Sequence, residues 1–260
     1  MTTAYAVSGL LVGFLVGLTG VGGGSLMTPL LVFLFGFAPK TAVGTDLLFA
    51  AITKGGGVLV HHRNHRSVEW KIVLQLGLGS IPAALIVIYL LENVVKRDES
   101  VTALITTSLG IALIFTGLSL IFRKRLAHKS ALQRLTHTER FGRWQGLLTV
   151  LVGLVIGVLV TLSSVGAGAL GTVALLFLYP RLATVRIVGT DLAHAIPLTA
   201  VAGLGHLHMG NVDFNLLGSL LIGSLPGIYL GSHLSARIPE WLLRPALASL
   251  LLLLGCKFVL

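Results

Sequence analysis

The chain contains an internal repeat, and this feature restricts its possible folds more than any other. The pentapeptide VGTDL occurs at 43–47 and again, unchanged, at 188–192. Two longer pairs of stretches match in the same order: TGVGGGSL (19–26) with SSVGAGAL (163–170), and VEWKIVLQLGLGSIP (68–82) with VDFNLLGSLLIGSLP (212–226). The members of each pair are 144 or 145 residues apart. This fixed period predicts two homologous halves, residues 1–122 and 145–260, joined by a basic linker at 123–144.

Long apolar runs fill both halves, and charged residues are scarce. Hydrophobic residues make up 55% of the chain and charged residues 11%, whereas about a quarter of the residues in a soluble domain are charged. A transmembrane β-barrel needs apolar and polar residues in alternation over segments of about ten residues. The runs here are continuous instead, as in ALITTSLGIALIFTGLSLIF. The sequence therefore predicts an all-α polytopic membrane protein.

Each half holds five apolar segments, which predicts about ten membrane segments in two five-segment repeats. In chain order the segments are roughly 4–18, 25–37, 43–61, 70–91, 101–122, 145–161, 168–179, 185–205, 214–234 and 241–259. A helix needs about 20 apolar residues to span a bilayer, and shorter runs indicate re-entrant or broken helices. The second segment of each half is short and belongs to a glycine-rich stretch. We therefore expect broken or re-entrant helices at these two glycine loops.

The distribution of Lys and Arg predicts that the two halves have opposite orientations. Seven of the 19 Lys and Arg residues lie in the linker. If the halves are inverted, 14 basic residues share one side of the membrane with the linker and four lie on the other side. Parallel halves give 11 against seven, and Lys54 lies inside a membrane segment under either arrangement. Basic residues accumulate on the cytoplasmic side, so we expect inverted repeats, with linker 123–144 cytoplasmic and both termini outside.

Several classes of protein are disfavoured by what the sequence lacks. The formal charge of +10 comes without a basic face interleaved with aromatic residues, so nucleic acid is not an expected partner. The phosphate-binding motif GxxxxGK[ST] and the hydrolase motifs GxSxG and HExxH are absent, which argues against an ATPase or another enzyme. Cys256 is the only cysteine, which excludes an intrachain disulfide. We expect no cofactor and no metal site.

The glycine loops predict a binding site for an anion. Inverted repeats with interrupted helices are a recurrent design of secondary transporters, whose halves open one midplane site to either side in turn. A helix that begins inside the membrane leaves its first N–H groups unpaired, and these groups favour an anion. The spacing of five other glycines is that of small-residue helix packing instead: Gly9, Gly13, Gly17, Gly153 and Gly157. The expected substrate-binding residues of the two loops are Gly22, Gly23, Gly24, Ser25, Gly166, Ala167 and Gly168.

Lys54 is the most distinctive single residue, because it lies within an apolar segment. A lysine inside a membrane segment is energetically costly and is usually functional. Contact with the substrate anion is our preferred interpretation. A structural ion pair with Asp46 or Asp191, and snorkelling of the ammonium to the membrane interface, are the alternatives. The approximate counterpart of Lys54 in the second half is Thr199, so the repeat is not symmetric at this position.

The repeated VGTDL motifs provide candidates for coupling or gating. Asp46 and Asp191 could exchange protons in a poorly solvated site, or they could cap or pair structurally at helix starts. His194 follows Asp191 by three residues on the same helix face and could relay protons. The simpler interpretation of His194 is a satisfied polar contact between helices. The hydroxyls of Thr45 and Thr190 could donate hydrogen bonds to an oxyanion substrate.

The motifs of both halves resemble one known family of membrane proteins. The pattern GLTGVGGGSLMTPLL, followed by AVGTDL and GSIP and repeated in the second half, resembles the TauE/SafE sulfite exporter family, also called the toluene sulfonate uptake permease (TSUP) family. The resemblance covers essentially the whole chain. It implies an inner-membrane transporter of small sulfur-containing anions, such as sulfite or organosulfonates, with export as the expected direction.

The sequence leaves the driving force and the assembly open. Transport could be coupled to protons or driven by the substrate gradient alone, and an anion channel on the same fold is the alternative function. The expected partners are a small anionic substrate and the lipid bilayer. A homodimer is also compatible with the sequence.

Overall fold

The computed structural model describes residues 2–19, 24–65, 68–93, 98–135, 142–235 and 240–259. Over these ranges the chain forms helices and turns and has no β-strand. The predicted all-α fold is therefore confirmed. The helices are α1 (Thr2–Thr19), α2 (Gly24–Phe33), α3 (Pro39–His65), α4 (Trp70–Asn93), α5 (Asp98–Leu135), α6 (Gln145–Ser163), α7 (Leu170–Leu178), α8 (Thr184–His208), α9 (Phe214–Ser235) and α10 (Glu240–Val259).

Five stretches of these helices are long and apolar enough to cross a membrane. They lie at Trp70–Asn93, Ser100–Phe122, Gly142–Ser163, Thr184–His208 and Phe214–Gly231. Two shorter apolar stretches occur in α1 and α10, at Tyr5–Phe14 and Pro245–Val259. The chain is thus a multi-pass helical membrane protein.

The second glycine-rich stretch breaks the helix, as the sequence predicted. α6 ends at Ser163, and α7 begins at Leu170. Between them the backbone angle φ is 59° at Ser164, 113° at Gly166 and 120° at Gly168. Positive φ angles are incompatible with a right-handed helix and are accessible to glycine without the steric cost that other residues incur. The glycines of this loop therefore separate the two helices.

The first half has a matching short helix. α1 ends at Thr19 and α2 begins at Gly24, while residues 20–23 lie outside the described part of the chain. α2 has 10 residues and α7 has nine, against the roughly 20 residues that span a bilayer. The second segment of each half is too short to cross the membrane, as expected.

α5 is longer than the apolar segment that predicted it. The segment ends near Phe122, but the helix continues to Leu135. The additional residues, RKRLAHKSALQRL, are mainly Ala, Leu, Lys, Arg and Gln, all of which favour a helix. The first part of the linker 123–144 is therefore a helical continuation of the first half.

Glycines bring α1 of the first half very close to α9 of the second. A Cβ atom at Gly9 would lie 3.0 Å from the Cα atom of Leu220, and one at Gly13 would lie 2.7 Å from the Cα atom of Ser224. Carbon atoms do not approach each other this closely without overlap. Only glycine at these two positions permits the observed separation of the helices, which confirms the predicted small-residue packing.

α6 of the second half approaches α4 of the first half in the same way. Cβ atoms at Gly153 and Gly157 would collide with the backbone of Leu76 and Ser80 respectively. All four positions lie 144 residues from their counterparts in the contact between α1 and α9. The contact between α6 and α4 is therefore equivalent to the contact between α1 and α9, with the two halves interchanged.

The long helices α3 and α8 lie against each other in the interior. One hydrophobic cluster joins Val43 and Leu47 of α3 to Leu198 and Ala202 of α8, and it extends to residues of α4, α5 and α6. Polar side chains on the same two helices are also buried. They include Asp46, Lys54, Asp191 and His194.

Candidate functional site

Two buried aspartates occupy equivalent positions on α3 and α8. Asp46 is 0% exposed and Asp191 is 1% exposed. Oδ2 of Asp46 accepts a hydrogen bond from the hydroxyl of Thr28 on α2, at 2.6 Å. Oδ2 of Asp191 lies 2.8 Å from the hydroxyl oxygen of Thr172 on α7, which also lies 2.6 Å from the carbonyl oxygen of Gly168. Each short helix thus places a hydroxyl beside a carboxylate of the long helix that follows it.

Neither aspartate caps a helix, contrary to one interpretation of the VGTDL motif. α3 begins at Pro39 and α8 begins at Thr184. Both carboxylates therefore lie well inside their helices, beyond the first turn. Proline is favoured at the first position of a helix, so α3 begins there rather than at the motif.

The hydroxyls of Thr45 and Thr190 form hydrogen bonds with backbone groups at some distance along the chain from the carboxylates of Asp46 and Asp191. Thr190 Oγ1 donates to the carbonyl oxygen of Arg186 at 2.6 Å and accepts from the N–H of Glu69 at 2.9 Å. Thr45 Oγ1 accepts from the N–H of Asp213 at 3.1 Å. These threonines hold the turns that precede α4 and α9. The Thr190 hydroxyl proton is already donated, which argues against the expected bond to an oxyanion.

Lys54 places a positive charge in the region of the Asp46 and Asp191 carboxylates. Its side chain is 7% exposed. Nζ donates a hydrogen bond to the carbonyl oxygen of Ala167, in the glycine loop of the other half, at 3.1 Å. The ammonium interacts electrostatically with both Asp46 and Asp191. Lys54 therefore belongs to a buried charged cluster, and it does not snorkel to the membrane interface.

His194 joins the same cluster from α8. It is 0% exposed, and its imidazole interacts with the charge of Lys54. Nε2 lies 2.7 Å from the hydroxyl oxygen of Ser80 on α4, which is a polar contact between helices. Nδ1 is buried and has no hydrogen-bond partner among the described residues.

The loop between α6 and α7 meets Lys54 through a carbonyl oxygen, whereas the sequence predicted N–H donors. Gly166 and Gly168 flank the carbonyl of Ala167, and their positive φ angles set its direction. The N–H of Leu170 bonds back to the carbonyl oxygen of Gly166 at 3.1 Å. In the first half, Gly24 and Ser25 begin α2. The other two candidates of that loop, Gly22 and Gly23, fall outside the described residues.

Four polar residues at this cluster were not identified from the sequence: Thr28, Thr172, Ser80 and Ser164. The hydroxyl of Ser164 lies beside the carboxylate of Asp46. Ser164 Oγ and Asp46 Oδ1 are both buried. The repeat contains a signal for the two threonines, because they are 144 residues apart and identical. Serine and threonine are common in membrane helices for packing alone, so their type carries little information.

The fold and the site together define a class of protein. Five stretches of helix are long enough to cross a membrane, two other helices are short, and charged side chains are buried beside a helix break. Buried ionisable residues next to broken helices are typical of substrate and ion sites in transport proteins. In the part of the chain that the structure describes, no group of three or more His, Cys, Asp or Glu could hold a metal ion. The class is a multi-pass membrane protein of the transporter type.

Comparison with known proteins identifies the family. The family described as Sulfite exporter TauE/SafE matches residues 5–258. The chain belongs to this family, and the resemblance seen in its motifs is confirmed. It is a family of membrane transporters and not of enzymes.

Three relatives are matched over nearly their full lengths. The probable membrane transporter protein YjnA of Bacillus subtilis is 40% identical, over 100% of both chains. A second protein of that organism, the probable membrane transporter protein YdhB, is 28% identical over 94% of this chain and 96% of its own. A probable membrane transporter protein of Methanocaldococcus jannaschii is 27% identical over 96% of this chain and 92% of its own. No solved structure is significantly similar to the chain.

Proposed function

We propose that the protein is a secondary transporter that exports small sulfur-containing anions such as sulfite or organosulfonates. The observation that carries this proposal is the buried ammonium of Lys54, which lies against a glycine loop at a helix break. A buried cation beside a broken helix is suited to attract an anionic substrate. The family description, sulfite exporter, agrees with an anion of this chemistry and with this direction.

The proposed mechanism is alternating access around a midplane site between two inverted repeats. The equivalent contacts of α1 with α9 and of α6 with α4 support a two-fold relation between the halves. The matched hydrogen bonds from Thr28 to Asp46 and from Thr172 to Asp191 support the same relation. The basic linker 123–144 supports opposite orientations, with the linker in the cytoplasm and both termini outside the inner membrane.

The proposed site holds the anion between the Lys54 ammonium and the two glycine loops. Donors from Gly22 to Ser25 and from Gly166 to Gly168 would complete the contacts of the anion, since helix starts favour negative charge. Thr45 and Thr190 are not part of the proposal, because their hydroxyls are bonded to the turns before α4 and α9.

The charge of the cluster makes coupling to protons part of the proposal. When all are ionised, Asp46 and Asp191 carry two negative charges and Lys54 carries one positive charge. A monovalent anion would therefore enter a buried region of net negative charge, which is energetically costly. A proton on one of the carboxylates removes this net charge. His194 is close to Lys54 and is suited to pass such a proton.

Binding of the anion can be measured by thermal unfolding of the purified protein in detergent. A ligand that binds only the folded state raises the unfolding temperature with its concentration. We expect sulfite or methanesulfonate, but not chloride, to raise it for the wild-type protein. Lys54→Ala should lose this response. Lys71→Ala removes an exposed lysine of α4 and should keep it.

Two results would contradict the proposal in different ways. If a folded Lys54→Ala protein bound the anion as tightly as the wild type, Lys54 would not be a ligand. If no sulfur oxyanion or sulfonate raised the unfolding temperature of the wild type, the substrate class would be wrong.

A further inference from the structure

A cavity opens between α5, α6 and α7. Its volume is about 400 Å³, and the side chains that line it are apolar. Phe115 of α5 and Leu151 and Val155 of α6 form its rim, and each of these residues is between 49% and 55% exposed. Ile156, which is 3% exposed, lies at its floor. A polar ligand would lose its hydrogen bonds to water here without replacement, so the cavity suits a hydrocarbon.

The cavity lies within the membrane-crossing part of its walls. These walls include the stretches Ser100–Phe122 of α5 and Gly142–Ser163 of α6. Phe115 and Ile156 each lie seven residues from the nearer end of their stretch, which is about 10 Å along a helix. The hydrocarbon core of a bilayer is about 30 Å thick. The mouth of the cavity therefore faces lipid chains rather than water.

The shape of the cavity suits a single flexible chain better than a helix of a second copy. The cavity follows α6 from Leu148 to Leu159, a distance of roughly 16 Å. A volume of about 400 Å³ spread over that length gives a mean cross-section of about 25 Å². A helix with its side chains is about 10–12 Å in diameter and is too wide to enter. A lipid chain is narrow and is present at this depth.

In the first half, a side chain fills the equivalent position. Ala174 lines the cavity, and its counterpart 144 residues earlier is Leu30. Leu30 packs with Leu254 and Phe258 of α10 against a cluster of buried apolar residues. Alanine is too short to make such contacts, and side chains beside a void lose dispersion energy. A hydrocarbon chain would supply in the second half the contacts that Leu30 supplies in the first.

The cavity is separated from the charged cluster only by α7. Leu170 and Ala174 line it, and their spacing of four residues places them on one face of the helix. Thr172 lies between them in sequence and therefore on another face, where its hydroxyl oxygen is 2.8 Å from Oδ2 of Asp191. A chain in the cavity would pack against α7 and support the position of Thr172.

We propose that this cavity binds one acyl chain of a membrane phospholipid, which packs against α7 in place of a leucine side chain. The inference goes beyond the proposed function and does not depend on it, because the chain binds without any transported anion. Binding of the chain stabilises α7 beside the charged cluster.

The experiment uses the full-length protein in liposomes that contain a phospholipid with a photoactivatable diazirine in the middle of one acyl chain. Labelled peptides are quantified by mass spectrometry after illumination, as the fraction of this probe among the lipids is raised. In the wild type we expect labelling of residues 148–159 and 170–174 to saturate at a low probe fraction. Labelling of Leu74 and Leu78, which are exposed on α4, should rise in proportion to the probe.

Variants of Ala174 test whether the saturable labelling comes from the cavity. Ala174→Leu copies the residue of the first half and fills the space, so the saturable labelling should be lost. Ala103→Leu adds the same atoms at an exposed position of α5 and should keep it. Ala174→Val fills less of the space and should shift saturation to a higher probe fraction, which provides a second test if Ala174→Leu does not fold.

Three outcomes would overturn the inference. Labelling of the cavity in proportion to the probe would show ordinary contact with bulk lipid. Saturable labelling that persists in a folded Ala174→Leu protein would place the bound chain elsewhere. An unlabelled cavity in a wild-type protein of dimeric mass would assign the cavity to a second copy of the chain. None of these results concerns sulfite transport, so the proposed function would stand in each case.

Discussion

The carboxylates of Asp46 and Asp191 each lie within hydrogen-bond distance of a hydroxyl from another helix. Each hydroxyl belongs to a threonine of a short helix, and each hydrogen bond is buried. A buried acceptor that loses its donor costs about 1–3 kcal/mol, and a charged one costs more. These two bonds should therefore stabilise the attachment of the short helices.

We expect Thr28→Val and Thr172→Val each to lower the free energy of unfolding by about 1–3 kcal/mol. Valine keeps the shape of threonine, so the loss reports the hydroxyl. Thr106→Val is the matched control on α5, because the hydroxyl of Thr106 donates only within its own helix, to the carbonyl oxygen of Thr102. Unfolding in detergent can be followed by circular dichroism. Equal losses in all three variants would contradict a special role for the two bonds.

The sequence predicts part of the site and not its geometry. Lys54, Asp46, Asp191 and His194 were all candidates, and the structure brings them together. Thr45 belongs to the same motif as Asp46, yet its hydroxyl bonds elsewhere, because adjacent residues of a helix do not face the same way. Partners such as Thr28 come from another helix, and only the tertiary fold decides which polar side chains meet.

Among the elements, the helix pairs α1 with α9 and α4 with α6 are in contact backbone to backbone. A Cβ atom at Gly157 would lie 2.7 Å from the Cα atom of Ser80. Ser80 also bonds His194. A larger residue at this glycine would therefore disturb both the helix contact and the charged cluster.

We expect Gly157→Ala to destabilise the protein by about 1–3 kcal/mol, the usual cost of an overfilled contact. Gly13→Ala should have a similar effect, since Gly13 meets Ser224 in the equivalent contact. Gly218→Ala is the control, because open space surrounds that position of α9. It should be neutral or stabilising by up to about 1 kcal/mol, as alanine favours a helix more than glycine does. Thermal unfolding of the three variants would test this order of stabilities. A Gly157→Ala protein as stable as the wild type would contradict the prediction.

At this scale the sequence is a good guide to the helix breaks and a poorer guide to the helix ends. The glycine loop at SSVGAGAL was predicted because positive φ angles suit glycine. The end of α5 was not predicted. The apolar residues mark only the part of the helix that is buried in the membrane, whereas the basic residues after Phe122 also favour a helix and continue it. α3 likewise begins before its apolar segment, at Pro39.

Across the whole molecule, the two halves are interlocked through equivalent contacts. Each half supplies one helix to each of these two close pairs, and α5 of the first half meets α10 of the second in a further close contact, at Gly110 and Gly255. The sequence repeat predicted two related halves but not these contacts between them. A repeat does not show which helices pack against each other. The opposite orientation of the halves stays a prediction based on charge.

The dependence of transport on substrate concentration distinguishes a carrier from a channel. We expect efflux of sulfite from liposomes containing the protein to saturate with sulfite concentration, since alternating access limits the turnover of one site. An imposed pH gradient should change the rate, because the proposed mechanism has the anion and a proton bind together. Empty liposomes and Lys54→Ala liposomes provide the controls. Unsaturable flux would favour the anion channel, and saturable flux that ignores the pH gradient would remove proton coupling from the mechanism.

The close contacts between helices of different halves also have a mechanical consequence. Two helices that touch at their backbones have no side-chain layer to yield, so α1 with α9 and α4 with α6 leave little room for sliding. Each such rigid body is made from both copies of the repeat. The parts that shift against each other during a transport cycle therefore would not correspond to the first and second halves of the gene product, and the boundary between moving blocks would cut across each repeat.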